Sequence, residues 1–274
     1  MKRIFLFLFL LCNNIEAQTW FVGWDTVPAK FRLDISPFQF GYGPWGINTK
    51  TDMPEQSSFI LTSTTKGFGG FHMDIQAFFK DKIGIETGFD FVGGSLDEKK
   101  IRSELQNHIP NYVIEFPKTD YDGGNSPFRG GYDYRIFKIG LIGFIRCNKI
   151  VILPYLNYLY NIESDYPNLT VIFTDPSNNS SFNRIYKFYN TNSNGIKVGA
   201  SFRGYFKNQN IKRKHSNIYM QLRAEFVYLK TNGYGYYLDK DVNNNEIKSP
   251  SHNFSQNAYA FVLGFTLGGL DLHW

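Results

Sequence analysis

Cysteine is almost missing: 274 residues hold two, Cys12 and Cys147. Cys12 falls in a leader-like start, so the chain that remains has one thiol and no internal disulfide can form. The cysteine staple of small exported domains is therefore excluded, and stability has to come from elsewhere. No segment after the start approaches the roughly 20 apolar residues of a membrane-crossing helix. His-x-Ser does not occur, and neither does a nucleophile elbow, a phosphate loop or a clustered carboxylate motif. The five histidines, His72, His108, His215, His252 and His273, include no pair at metal-ligand spacing. The formal charge is +5, and losing Lys2, Arg3 and Glu16 with the leader leaves +5 − 2 + 1 = +4. Its cations are scattered, the densest group being Lys207–His215, which argues against a nucleic-acid partner for an exported chain.

At the start, Lys2 and Arg3 precede an apolar run from Ile4 to Leu11, and Ile15-Glu16-Ala17 ends on a small residue. This predicts a secretory leader over 1–17, cleaved near Ala17, and one domain over 18–274. Leu11 is bulky where a lipoprotein signal at Cys12 takes a small residue.

The dominant period beyond the leader is two. Phe71, Met73, Ile75, Ala77 and Phe79 alternate with His72, Asp74 and Gln76; Ile83, Ile85, Thr87, Phe89 and Phe91 alternate with Gly84, Glu86, Gly88 and Asp90. Phe31, Leu33 and Ile35 give way to Phe38, Phe40 and Tyr42 in shifted register, with Pro37 where a bulge belongs. Further alternations cover 196–206, 218–228 and 258–267, while 132–146 and 149–160 are nearly continuous apolar runs with no assignable inward face. This gives eight strands of roughly ten residues, the usual transmembrane β-strand length. Their connections alternate between short (80–82, 147–149, 207–217) and long (44–67, 93–131, 162–193, 231–253). Short turns on one edge and long loops on the other, with acids and bases on one face and grease on the other, predict an all-β fold: an eight-stranded, antiparallel, up-and-down transmembrane barrel. Its apolar face meets lipid and its polar face fills a narrow interior. The predicted interior cluster is His72, Asp74, Glu86, Asp90, Lys197, Arg203, Arg223 and Glu225, with Gln76 and Gln221. Four acids against three bases predict a salt-bridged interior rather than a charged channel.

The "IEAQ" leader end, the strand pattern from Phe31 onward and the tail "AYAFVLGFTLGGLDLHW" resemble the small outer-membrane barrels of the OmpA/OmpX-like class, in particular the barrel-domain proteins of Bacteroidota. The resemblance implies location in the bacterial outer membrane, short periplasmic turns, long extracellular loops, and a terminal aromatic, Trp274, read by the barrel-assembly machinery. Gly268-Gly269 interrupts the final alternation, so a bulge is expected there. The implied role is non-enzymatic, with loops 93–131, 162–193 and 231–253 contacting an envelope or extracellular partner and lipid covering the outside. A small pore or a lipid-modifying enzyme is the alternative.

The remaining candidates are local. "SLDEKKIRSELQNHIP" predicts a short helix near 96–108, capped by Ser95 with Glu98, serving as a lid or as plain loop packing. Asp120–Ser126 and Asp239–Glu246 lack the glycine and closing acid of a calcium loop and read as polar turns. No metal or cofactor is expected. Tyr42, Trp45, Tyr228, Tyr234, Tyr236 and Tyr237 at the loop side, and Phe78, Phe79 and Trp274 at the turn side, read as interfacial aromatic girdles. The Tyr234–Tyr237 group also suits carbohydrate stacking.

Overall fold

Long alternating stretches with few internal breaks must pair along their whole length to satisfy their backbone groups, and they do. A computed structural model describes residues 29–53, 61, 67–95, 97–116, 131–147, 150–165, 169–205, 216–240 and 245–274. The leader, Lys207–His215 and Asp120–Ser126 lie outside them.

Among the described residues, twelve strands and one helix follow in chain order: β1 (Phe31–Thr51), β2 (Gly67–Phe79), β3 (Ile83–Ser95), α1 (Glu98–His108), β4 (Val113–Glu115), β5 (Gly131–Gly143), β6 (Ile145–Cys147), β7 (Ile150–Asp165), β8 (Leu169–Thr174), β9 (Ser181–Tyr205), β10 (Ser216–Lys240), β11 (Glu246–Lys248) and β12 (His252–His273). Eight of them pair antiparallel in the cycle β1-β2-β3-β5-β7-β9-β10-β12, and β12 returns to β1. The barrel-like ring thus leaves no free edge among its eight strands. Strands β4, β8 and β11 decorate the loop side, and β6 continues β5 against β7.

Two register shifts stand where the sequence places them. The β1–β2 pairing slips between Ser36 and Gln39, around Pro37. The β10–β12 pairing skips Gly268, whose φ of 74° is readily open only to glycine. The β2–β3 hairpin turns through Lys80 and Asp81, both at positive φ, in the primed geometry that matches strand twist.

The expected strand lengths need correction. β9 and β10 have 25 residues each, β12 has 22 and β1 has 21, not roughly ten. Much of 44–67, 162–193 and 231–253, expected as loop, is paired strand. Asn, Ser and Gly disfavour strand on average, but pairing with a long neighbour overrides that preference. The expected helix forms, but its cap is Asp97, whose carboxylate accepts from the Lys100 N–H at 3.1 Å, and not Ser95. Ile101 and Leu105 bury one face of α1 in the loop-side core.

Inward and outward chemistry exchange partway up the ring. On β10, Gln221, Arg223 and Glu225 face inward while Leu222, Ala224 and Phe226 face outward; higher up, Val227 and Leu229 face inward and Lys230 and Asn232 outward. β1 changes from Asp34 and Gln39 inside, with Phe38 and Phe40 outside, to Trp45 inside with Asn48 and Lys50 outside. β5 changes from Lys138 inside and Ile139 outside to Tyr134 inside with Arg135 outside. The loop-side interior is a continuous apolar cluster that includes Trp45, Phe68, Tyr132, Phe173, Phe188, Leu229 and Phe254. A smaller apolar cluster of Phe78, Ile142, Phe144, Val151, Leu153 and Tyr155 fills part of the turn end. Trp45 and Phe78 are therefore core residues, not members of an outer girdle.

Candidate functional site

Eight polar positions on four strands meet inside the middle of the ring. His72 and Asp74 come from β2, Glu86 and Asp90 from β3, Lys197 and Arg203 from β9, and Arg223 and Glu225 from β10; all eight are buried. Strand alternation alone aims them inward, and Lys138 on β5 ties them together. Its ammonium pairs with Asp74 and lies 2.9 Å from Asp90 and 3.6 Å from Glu86. Arg223 pairs with Asp74, lies 3.2 Å from Glu86 and 3.5 Å from Glu225, and covers the Tyr155 ring at 4.7 Å. Lys197 bridges Asp90 and Glu225, the latter at 3.4 Å. Nearer the turn side, Arg203 pairs with Asp34, donates to Gln76 at 2.8 Å and stacks on Tyr219 at 3.8 Å.

Neutral donors complete the carboxylate shells. Gln76 donates to Glu86 at 3.0 Å, Asn157 donates to Glu86 at 2.9 Å, and the Tyr155 hydroxyl donates to Glu225 at 2.7 Å. His72 sits with Nδ1 2.8 Å from Asp90 and Nε2 3.9 Å from Glu225. Five carboxylates (Asp34, Asp74, Glu86, Asp90, Glu225) then face four cations (Lys138, Lys197, Arg203, Arg223), with the His72 ring between Asp90 and Glu225. Room for this network comes from small inward residues. A Cβ on Gly199 would lie 2.7 Å from the Tyr155 hydroxyl and 2.9 Å from the Glu225 Cβ, and one on Gly41 would lie 3.0 Å from His72 Nε2.

Sequence reading missed Lys138, Asp34, Gln39, Tyr155 and Asn157. Lys138, Tyr155 and Asn157 lie in apolar runs whose inward face was ambiguous. The usable signal was Lys138 itself: a lysine between Ile136 and Ile139 is at home only on the polar face.

A second ionic group closes the turn side. Arg32 pairs with Asp271 and lies 2.9 Å from Asp81; Arg146 also pairs with Asp81, which accepts the Ala29 N–H at 3.1 Å. Trp274 is exposed, 5.9 Å from the Phe31 ring, and its N–H donates to the Phe31 carbonyl at 3.0 Å. At the far end Arg184 makes a two-pronged bond to Asp239, 2.6 and 2.7 Å, and covers Tyr237 at 4.2 Å. Burial there pushes the Tyr186 phenol up to about 12. The other described histidines lie outside the central network: His108 in the last turn of α1, His252 3.9 Å from Asp52, and His273 3.6 Å from Asp271. Among the described residues no group of three or more His, Cys, Asp or Glu is placed to hold a metal.

No protein-family profile matches the chain, and no curated protein is similar to it in sequence. Solved structures similar to it are bacterial outer-membrane proteins. OprG of Pseudomonas aeruginosa is 10% identical, with 90% of this chain and 98% of that one covered at a TM-score of 0.43. A major outer membrane protein of Thermus thermophilus is 11% identical, covering 87% and 98% at 0.32. The outer membrane protease OmpT of Escherichia coli is 8% identical, covering 90% and 99% at 0.23.

Proposed function

We propose that this chain is an integral β-barrel of the bacterial outer membrane, of the OmpA/OmpX-like class and Bacteroidota type. In this reading the leader is removed near Ala17, the short turns are periplasmic, the long strand extensions are extracellular, and Trp274 serves the assembly machinery. The lumen is closed, and the protein is a non-enzymatic surface protein acting through its loop side.

The observation that carries this reading is the exchange of faces along single strands. A water-soluble barrel has no cause to show Leu222, Phe226, Leu263 and Phe265 outward while burying Arg223, Glu225 and Asp74. Lipid around that level supplies the cause, since backbone closure is then obligatory and an apolar exterior costs nothing. The height agrees. On β10 the outward apolar positions run from Ile218 to Tyr228, about 34 Å of strand at ~3.4 Å per residue, or about 24 Å vertically at the usual ~45° tilt. Outer-membrane barrels carry an apolar band of about 25 Å.

Closure of the lumen rests on Lys138, Arg203 and Glu86, which reach into the centre at 0% exposure. Rings of charge that line a conduit stay wet, whereas here Arg203 pairs with Asp34 of β1, Lys197 with Asp90 of β3 and Arg223 with Asp74 of β2, each joining strands that are not neighbours in the ring. The test is purification in detergent followed by gel migration with and without boiling, planar-bilayer recording and a phospholipid-hydrolysis assay. A heat-dependent shift, no steady conductance and no acyl release are expected. Migration unchanged by boiling, together with recovery in the soluble periplasm, overturns the membrane reading. Steady nanosiemens conductance overturns the closed lumen, and acyl release lost on His72→Ala or His252→Ala overturns the non-enzymatic role.

A further inference from the structure

We propose that the outer wall formed by β1, β9, β10 and β12 just above the lipid belt binds the sugar headgroups of anionic glycolipids in the surrounding outer leaflet. This rests on the membrane reading above. On these strands the belt ends at Tyr228 and Tyr259, whose rings lie 5.2 Å apart. Directly above, neighbouring strands carry one in-register row of Asn48, Asn257, Lys230 and Asn194, and the next of Lys50, Ser255, Asn232 and Asn192. All eight point outward, exposed or half-exposed. Asparagine is depleted in strands, and rows of it on an outer face call for a reason beyond folding. Each amide both donates and accepts, which is what vicinal sugar hydroxyls require.

Two further features share the wall. An open groove of about 600 Å³ is lined by Lys50, Asp52, Thr191, Asn232, Asn253 and Ser255. Beside it Tyr189 stacks on Tyr234 at 5.2 Å and on Tyr236 at 5.9 Å, and Lys248 sits 4.1 Å above the Tyr236 ring. Flat aromatic faces take the C–H faces of pyranose rings, and the hydroxyl-rich groove takes their edges. The exposed cations Lys50 and Lys230 favour phosphorylated or carboxylated sugars. Continuity with the belt selects the occupant, because an acyl chain lying against Phe226 and Phe261 delivers its headgroup to the first asparagine row. The β5–β7 wall differs: there the outward Arg135 and Glu163 pair with each other.

Full-length protein in phosphatidylcholine vesicles, doped with short-core lipopolysaccharide, is extracted into detergent and its retained glycolipid quantified by native mass spectrometry. Wild type is expected to hold the glycolipid about tenfold more tightly than the Tyr189→Ala/Asn232→Ala variant, and to prefer it to phosphatidylglycerol. Equal retention by wild type and variant, or equal retention of phosphatidylglycerol, overturns the proposal. Lipid-free core oligosaccharide bound as tightly as the anchored form makes the occupant a soluble glycan and overturns the glycolipid assignment. Boiling-dependent gel migration is recorded for every sample. Its loss in wild type sinks the membrane reading, whereas retained migration with unchanged binding sinks only the glycolipid face.

Discussion

Mid-way up β10, Arg223 and Glu225 point into the ring behind an apolar exterior; one strand turn higher, Val227 and Leu229 point inward behind Lys230 and Asn232. The backbone, the ring and the inward vector are the same, so on the membrane reading proposed above the difference lies in what touches the outside. Within the belt, lipid is as apolar as any core, and an apolar side chain gains little by moving inward. The interior is then determined by polar groups that satisfy one another, as Lys138, Asp74 and Arg223 do. Above the belt the exterior is water, and burying Leu229, Phe188 and Phe254 has its ordinary hydrophobic return. On that reading one chain folds by two rules that meet at the level of Tyr228 and Tyr259.

The largest expected effect comes from breaking the polar half. Arg223→Ala leaves Asp74, Glu86 and Glu225 short of a cation and should cost about 3–5 kcal/mol in urea unfolding of the vesicle-inserted barrel. Adding Asp74→Asn to Arg223→Met should recover part of that loss, because the orphaned charge goes too. An unfolding midpoint equal to that of the lipid-facing change Phe265→Leu would mean that the interior is wet and its pairs are inert.

Next comes the apolar half. Leu229→Ala removes a fully enclosed side chain and should cost about 2–4 kcal/mol. The loss should appear as protease sensitivity of the loop-side extension while the boiling-dependent gel shift persists. If Leu229→Ala and Arg223→Ala instead melt the whole ring in one identical transition, the two halves form a single cooperative unit.

The outside discriminates as sharply. Leu222→Lys places a charge within the belt and should cost about 2–4 kcal/mol. Asn232→Lys, ten residues further along the same strand face, should stay within about 0.5 kcal/mol. Equal costs would move the boundary away from Tyr228.

Much of this was legible, and for a physical reason in each case. Period two is exact, so His72, Asp74, Glu86 and Arg223 could be aimed inward without coordinates. Pro37 and Gly268 cannot continue regular pairing, so the two bulges were visible. Runs such as 132–146, apolar on both faces, hid Lys138 and with it the hub of the network. The tall extensions were hidden by composition. Asn190, Ser193 and Asn232 read as loop, yet their backbones pair in β9 and β10. Local preference is worth tenths of a kcal/mol per residue, and a partner strand already in place outweighs it. Trp45 and Phe78 misled as girdle residues because an aromatic at a strand end fits an interface and a core equally well.

The smallest effect belongs to the turn-side clip, which sharpens the comparison by adding an ion pair outside the lipid. Asp81 occupies the left-handed second position of the β2–β3 turn, with φ 48°. Its carboxylate gathers Arg32, Arg146 and the Ala29 N–H, tying the start of β1 and the middle of β6 to the hairpin. Burial acts to raise its pKa, but the bond and charge of Arg32, with Ala29 and Arg146, outweigh it and hold the carboxyl below the usual range. A depressed folded pKa means that the unfolded chain takes up the proton first. The stabilisation is therefore complete above the ordinary value of about 4 and is lost as pH falls through the lower folded value. Asp81→Asn keeps a side chain that tolerates the left-handed turn and removes only the charge. It should lower stability by about 0.5–1 kcal/mol at neutral pH, and the gap from wild type should close as the pH falls below the ordinary carboxylate value of about 4. The contrast with Arg223→Ala is the point of the measurement: the same type of ion pair, moved from the lipid belt to the aqueous rim, should be worth several-fold less. A gap that persists unchanged into acid would assign the contribution of Asp81 to turn geometry instead of charge.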